Sequence, residues 1–210
     1  MFNRIRAIPR KLWNNKWKTL FGTGAITWVA HWKWGDYLHS LELDEAIQAA
    51  LIEGNKPAIT SKLEKVTVIL NPHAGSGFAR QSYEANAQPV LECAGYDIRL
   101  LKTEYVKHER DLAHDQVDPD TDILIIAGGD TTVMNVLTGL NRRPDFDAKF
   151  KSRNFKIAIL PLGATNRIWQ TFSSKKTGSF EAPYDRQNRI TEAAANIGIG
   201  VCDLKIKFRN

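Results

Sequence analysis

The sequence predicts an α/β fold: a doubly wound, mostly parallel sheet with helices on both faces, preceded by a membrane-associating N-terminal helical segment. Three observations carry this. From Val66 onward, short β-branched apolar runs alternate with stretches of helical periodicity. Three of the runs end abruptly in Gly-rich turns. Finally, the excess positive charge lies ahead of that alternation.

The charge sets the domain organisation. The net charge is +6 over 210 residues. Seven bases and no acid precede residue 36, namely Arg4, Arg6, Arg10, Lys11, Lys16, Lys18 and Lys33. Removing those seven from +6 leaves −1 for the rest of the chain. The basic balance belongs to the leader, so a basic nucleic-acid-binding face is not expected.

Residues 1–38 read as a basic, Trp-rich targeting or membrane-associating segment. Trp13, Trp17, Leu20, Phe21 and Gly24 fall on one side of a helix, and Trp28, Trp32 and Trp34 cluster further on. The apolar stretch between Lys18 and Lys33 is shorter than the ~20 residues of a spanning helix. It is expected to lie on or dip into a membrane; the alternatives are a helix that spans it and a Trp-rich helix packed on the domain. Residues 39–62 read as a linker, with an amphipathic helix over 40–55 whose stripe is Leu43, Ile47, Ala50 and Leu51. Gly54, Asn55 and Pro57 stop it.

The domain spans 63–205. Strands are expected at 66–70, 97–102, 122–127, 156–160 and 201–208. Helices are expected at 78–94 (Tyr83, Ala87, Val90 and Leu91 inward), 106–114, 131–141, 166–172 and 190–197. Pro89 marks a kink or a first-turn position. Residues 142–155 and 173–187 read as loops. Cys93 and Cys202 read as reduced, buried thiols, and no zinc-ligand spacing is present.

The turns carry the chemistry. Ile123 to Ala127 is a run short and branched enough to be buried on both faces, and it ends in Gly128-Gly129-Asp130-Thr131-Thr132. Val133, Val136, Leu137 and Leu140 then repeat at helical spacing. The glycines therefore sit on a strand-to-helix turn, where backbone N–H groups and the helix N-terminus favour anions. Upstream, a strand runs into Asn71-Pro72-His73-Ala74-Gly75-Ser76-Gly77. Downstream, another ends in Pro161-Leu162-Gly163-Ala164-Thr165-Asn166. All three turns fall at carboxyl ends of strands, where open α/β sheets bind ligands. No Lys follows as in a Walker loop, and the third glycine of a dinucleotide fingerprint is missing. Arg80 is a candidate phosphate partner, but a solvated helix residue is the simpler assignment.

In this order and spacing the turns resemble the catalytic domain of the diacylglycerol kinase-like lipid kinases, which carry NPxxGxG, GGDGT and PxGTxN. The resemblance covers residues 65–205 and implies a nucleotide site for ATP with Mg²⁺. It implies that Asn71, Pro72, Gly75 and Gly77 line the nucleotide. Gly128 and Gly129 would cradle its phosphates, with Thr131 beside them and Thr132 as a hydroxyl donor. Gly163, Thr165 and Asn166 would close the site. Asp130 would orient or deprotonate the acceptor hydroxyl. The chain departs from the pattern at Thr131, a glycine in the family, and at Ala164, inserted in the third motif. A positive φ at Thr131 would cost about 1–3 kcal/mol. The family's β-rich second domain is expected to be absent, since the chain stops at Asn210. Val201 to Leu204 looks like that domain's first strand.

The leader, together with YEANAQPVLECAGYDI and LKTEY, resembles the mitochondrial acylglycerol kinases. That implies an acylglycerol lipid substrate, a membrane surface contacted through residues 1–38, and a place on the intermembrane-space side of the mitochondrial inner membrane. It also implies an alternative role as a structural subunit of an inner-membrane carrier translocase.

Overall fold

The computed structural model describes residues 16–54, 64–146, 155–172 and 183–198. The expected strand at 201–208 and the second cysteine lie outside them. The chain divides into two units between Ser40 and Leu41.

The first unit is helical. It is the part up to Ser40 of helix α1, Lys16–Gly54, whose remainder belongs to the second unit. Gly22 and Gly24 do not break it. Thr23 and Thr27 bond their hydroxyls back to the Leu20, Thr23 and Gly24 carbonyls. Trp17, Phe21, Ile26, Trp28, Trp32 and Trp34 are all more than half exposed. Among the described residues no helix is long and apolar enough to cross a membrane.

The second unit is the α/β domain. Strands β1 (Lys65–Leu70), β2 (Asp97–Lys102), β3 (Ile123–Gly128) and β4 (Lys156–Pro161) form one sheet in the order β2-β1-β3-β4. Every pair is parallel, with Val68 opposite both Leu100 and Ile125, and Ile125 opposite Ala158. Strand β3 is buried at all six positions, as its unbroken apolar run predicts. Strand β2 alternates, and it is one edge of the sheet formed by the described residues.

Helical segments connect the strands. Segment α2, residues 79–93, contains a π-helical turn at Tyr83–Ala87 just ahead of Pro89. Pro89 has no N–H to continue the ladder, which accounts for the shift of register there. Tyr83, Ala87, Val90 and Leu91 are buried, as expected. Segment α3, residues 108–116, starts two residues later than expected because Lys107 is left-handed at φ 69°. Helix α4 is Asp130–Asn141, α5 is Arg167–Phe172, and α6 is Pro183–Gly198. The α6 start corrects the last five residues of the loop expected at 173–187, and residues 173–182 lie outside the described ones. Pro183 is its first residue, a position where the missing N–H costs nothing. Cys93 is a free thiol but only partly buried, which corrects the expectation of a core position.

Segments α3 and α4 pack on each other; right-handed crossovers, the rule for parallel strands, would set them on the face opposite α2. Helix α6 packs beside α2, and Tyr96 donates its hydroxyl to the Ile197 carbonyl at 2.7 Å. From Leu43 onward the end of α1 also lies on the core, with Ala50 fully buried. Segments α3 and α4 pack at closest range through Gly139, where a Cβ would stand 2.2 Å from the Arg110 carbonyl oxygen. Gly139→Ala therefore separates the two helices and lowers stability by about 1–3 kcal/mol, read in chemical denaturation as a lower midpoint with an unchanged slope.

Candidate active site

Strand order reverses between β1 and β3, since the chain leaves β1 toward β2 and then crosses back to β3. That crevice, outside the carboxyl ends of the strands, is where such sheets hold ligands. The structure brings all three Gly-rich turns there. The end of β3 is bracketed from both sides: Ala127 accepts from the Asn71 N–H at 3.0 Å, and Gly128 from the Leu162 N–H at 3.1 Å.

The first turn begins at Asn71. Its side-chain oxygen accepts from the His73 N–H at 3.0 Å, closing an Asx-type turn. Gly75, Ser76 and Gly77 then run consecutively at φ 58°, 71° and 85°. Two are glycines, for which this costs nothing; Ser76 is held there at roughly 1–2 kcal/mol. A Cβ on Gly75 would stand 2.2 Å from the Leu162 carbonyl oxygen, so the first and third turns touch through it.

The second and third turns meet as closely. A Cβ on Gly163 would lie 2.4 Å from the Gly129 Cα, and one on Gly129 would lie 3.1 Å from the Gly163 Cα. Gly128 makes room for Thr132, whose side chain is buried against it. Asn166 locks the third turn by accepting from the Gly163 N–H at 3.0 Å and donating to the Gly163 carbonyl at 2.9 Å.

Asp130 opens α4 and faces another helix. Its Oδ2 accepts from the Arg167 N–H at 3.1 Å and its Oδ1 from the Ile168 N–H at 3.0 Å. These two amides stand at the start of α5, where the helix has no acceptor of its own for them. Each carboxylate oxygen keeps a further lone pair. Asp130 is half-buried and Gly129 beside it likewise.

The side chains named from sequence fall into two groups. Asn71, Thr132 and Asn166 are committed to bonds inside the scaffold, and Pro72 is half-buried beside Asn71. Thr131 and Thr165 are exposed at the rim, as are Gly77 and Ala164. Thr131 lies within the first turn of α4, and no positive φ is recorded for it. The strain that the glycine-to-threonine change suggested is therefore not there. Arg80 is an exposed helix residue paired with Glu84 at 2.7 Å.

One residue of the site was not named from sequence. Glu109, on α3, is 4% exposed. It accepts from Asn71 Nδ2 at 2.8 Å through Oε1 and from Asn135 Nδ2 at 3.4 Å through Oε2. Among the described residues no three His, Cys, Asp or Glu side chains converge as a metal cage.

The glycine contacts separate two kinds of substitution. Gly163→Ala forces apart the backbones of two turns and is expected to cost about 1–3 kcal/mol together with ligand binding at the crevice. Gly77→Ala meets nothing within 4 Å and carries only the conformational cost of φ 85°, about 1–2 kcal/mol. Thermal denaturation of the two variants, each titrated with ATP, checks the contrast: binding should vanish in the first and weaken far less in the second.

The sequence pattern of the diacylglycerol kinase catalytic domain matches residues 65–197. The mitochondrial acylglycerol kinase of Xenopus laevis is 36% identical over 195 residues, covering 92% of this chain and 43% of its own. The Homo sapiens mitochondrial acylglycerol kinase is 37% identical over 164 residues, covering 77% of this chain and 37% of its own. Sphingosine kinase 1 of Homo sapiens is 32% identical over 104 residues, half of this chain and 26% of that one. The chain thus spans less than half the length of the acylglycerol kinases it matches.

Proposed function

Since this chain belongs to the diacylglycerol kinase catalytic domain family, we propose that it takes part in ATP-dependent phosphorylation of the hydroxyl of mono- or diacylglycerol, giving lysophosphatidic or phosphatidic acid. The observation that carries this is the meeting of three Gly-rich turns at the switch point, with Asp130 beside them.

The crevice suits a nucleotide's phosphates. Gly75, Gly129 and Gly163 let backbone come close where a Cβ would block it. The first amides of α4 have no intrahelical acceptor and carry the positive end of the helix dipole. Magnesium would be carried in on the phosphates and keep waters at most of its other positions, so no dedicated metal cage is required of the protein. ATP with Mg²⁺ supplies the phosphoryl group and its charge neutralisation when bound. The chain's own part is positioning. Gly128 and Gly129 hold the phosphates, Asn71, Pro72, Gly75 and Gly77 border the nucleotide, and Gly163, Thr165 and Asn166 close the site. Thr131 stands at the rim of the phosphate turn, and the buried Thr132 braces it. The free lone pairs of Asp130 accept a hydrogen bond from the acceptor hydroxyl, aligning it for attack and receiving its proton as the bond to phosphorus forms.

Asp130→Asn is expected to retain ATP binding and lose transfer of radiolabelled phosphate to acylglycerol by a hundredfold or more, in the range of a general base (10²–10⁴). It also surrenders one of two acceptors at the start of α5, costing about 1 kcal/mol. Undiminished transfer by the variant would remove Asp130 from the mechanism.

The exposed Trp-rich part of α1 supports association with a membrane surface. The named relatives support a mitochondrial setting, here placed on the intermembrane-space side of the inner membrane. Mixing the protein with anionic vesicles should shift tryptophan emission to the blue as Trp17, Trp28, Trp32 and Trp34 leave water. Unchanged emission at saturating lipid would count against it. A second role would leave Asp130 to its structural bonds with α5 alone. A chain kept in that state serves as a structural subunit of an inner-membrane translocase. Co-purification with membrane partners without phosphoryl transfer would select it.

A further inference from the structure

We propose that Glu109 is the positioning residue that sets the first Gly-rich turn, and with it the nucleotide side of the crevice. The proposal rests on the ATP-site assignment above only for its consequence on binding. Its effect on the turn stands on the geometry alone.

A carboxylate at 4% exposure is expensive unless its oxygens are satisfied. Glu109 is satisfied entirely by side-chain amides whose orientation it dictates. The donors run in one direction. Arg110 Nη2 donates to Asn135 Oδ1 at 3.3 Å. Asn135 Nδ2 donates to Glu109 Oε2 at 3.4 Å. From the other side, Asn71 Nδ2 donates to Glu109 Oε1 at 2.8 Å and to Thr132 Oγ1 at 3.3 Å. An arginine offers only donors, an ionised carboxylate only acceptors, and an amide one of each end. The chain of bonds therefore has a single consistent sense, and Glu109 is its terminal acceptor.

That sense reaches the turn through Asn71. With its NH₂ held by Glu109, its carbonyl oxygen must face the other way, where it accepts from the His73 N–H at 3.0 Å. This bond launches the turn. Four residues on, Gly75 meets the Leu162 carbonyl, and Gly75 to Gly77 continue in the left-handed region. Turning the Asn71 amide over would put its oxygen against a carboxylate and its NH₂ against the His73 N–H. Glu109 thus holds, from α3, a turn 38 residues away in sequence.

The test uses isosteric exchanges in the full chain. In Glu109→Gln, the new NH₂ faces the Asn135 NH₂. If Asn135 flips to escape, its NH₂ faces Arg110, so no orientation satisfies every group. In the double variant Glu109→Gln with Asn135→Asp, the oxygen of the introduced amide accepts from Asn71, its NH₂ donates to the new carboxylate, and Arg110 donates there too. The sense of the network is restored with the charge moved to α4.

Two readouts are taken at a temperature where each variant is fully folded. Amide hydrogen exchange over residues 73–77 should speed up about tenfold or more in Glu109→Gln, the loss of one hydrogen bond to a charged group, while β3 amides stay protected. The dissociation constant for Mg-ATP should rise by a similar factor. The double variant should return both toward the parent. Unchanged exchange at the turn in Glu109→Gln overturns the proposal. So does acceleration spread evenly over the domain, or a double variant that is unfolded or leaves the turn loose. If the parent itself binds no ATP, the assigned function fails, and the exchange readout alone still decides for or against Glu109.

Discussion

The domain depends on how closely three backbones approach one another at the carboxyl edge of the sheet. Gly129 and Gly163 stand where a single methyl group on the latter would lie 2.4 Å from the former. Gly75 presses on the Leu162 carbonyl in the same way. These contacts are possible only because the strands deliver the turns in register, with the end of β3 hydrogen-bonded to the residues just beyond β1 and β4. The buried strands supply the rigidity and the glycines supply the nearness. Neither alone makes a crevice lined with backbone amides.

Around that edge the side chains divide their labour. Asn71, Thr132, Asn166 and Glu109 turn inward and hold the loops in shape. Thr131 and Thr165 stay at the surface. This division suits phosphoryl transfer, in which little covalent work falls to the protein and most of the rate comes from placing groups that are already reactive. It also explains how threonine is accommodated where the resemblance in sequence led to an expectation of glycine. Thr131 sits on a helix turn of ordinary geometry, with its side chain toward solvent.

Much of this was legible in the chain, for local reasons. The unbroken apolar run of β3 is short and β-branched, which favours a buried strand, and the glycine pair after it favours a turn. Tyr83, Ala87, Val90 and Leu91 mark their helix face by spacing alone. What escaped had no local signal. Ser76 gives no hint of a left-handed backbone, a conformation it shares with the glycines on either side of it. The early start of α6 was hidden by the polar residues of its first turns, although Pro183 is a recognised first-turn residue. Glu109 lies in a run of charged residues that reads as a solvated helix face. Only the packing of α3 against α4 and the end of β1 turns it into a buried acceptor.

The contact between Asp130 and α5 makes two parts of the domain thermodynamically interdependent. Helix α5 has six residues, far too few to persist unaided in water. Its first two amides close on the Asp130 carboxylate, while Trp169 within it is buried in the core. Any ligand whose contact with an Asp130 oxygen alters those bonds changes the stability of α5, and by reciprocity any ordering or loosening of α5 changes the affinity of that ligand by the same factor. Substitutions along 167–172 that never touch a bound molecule should therefore still register in its affinity. The stability of one short helix and the occupancy of the crevice are a single coupled equilibrium.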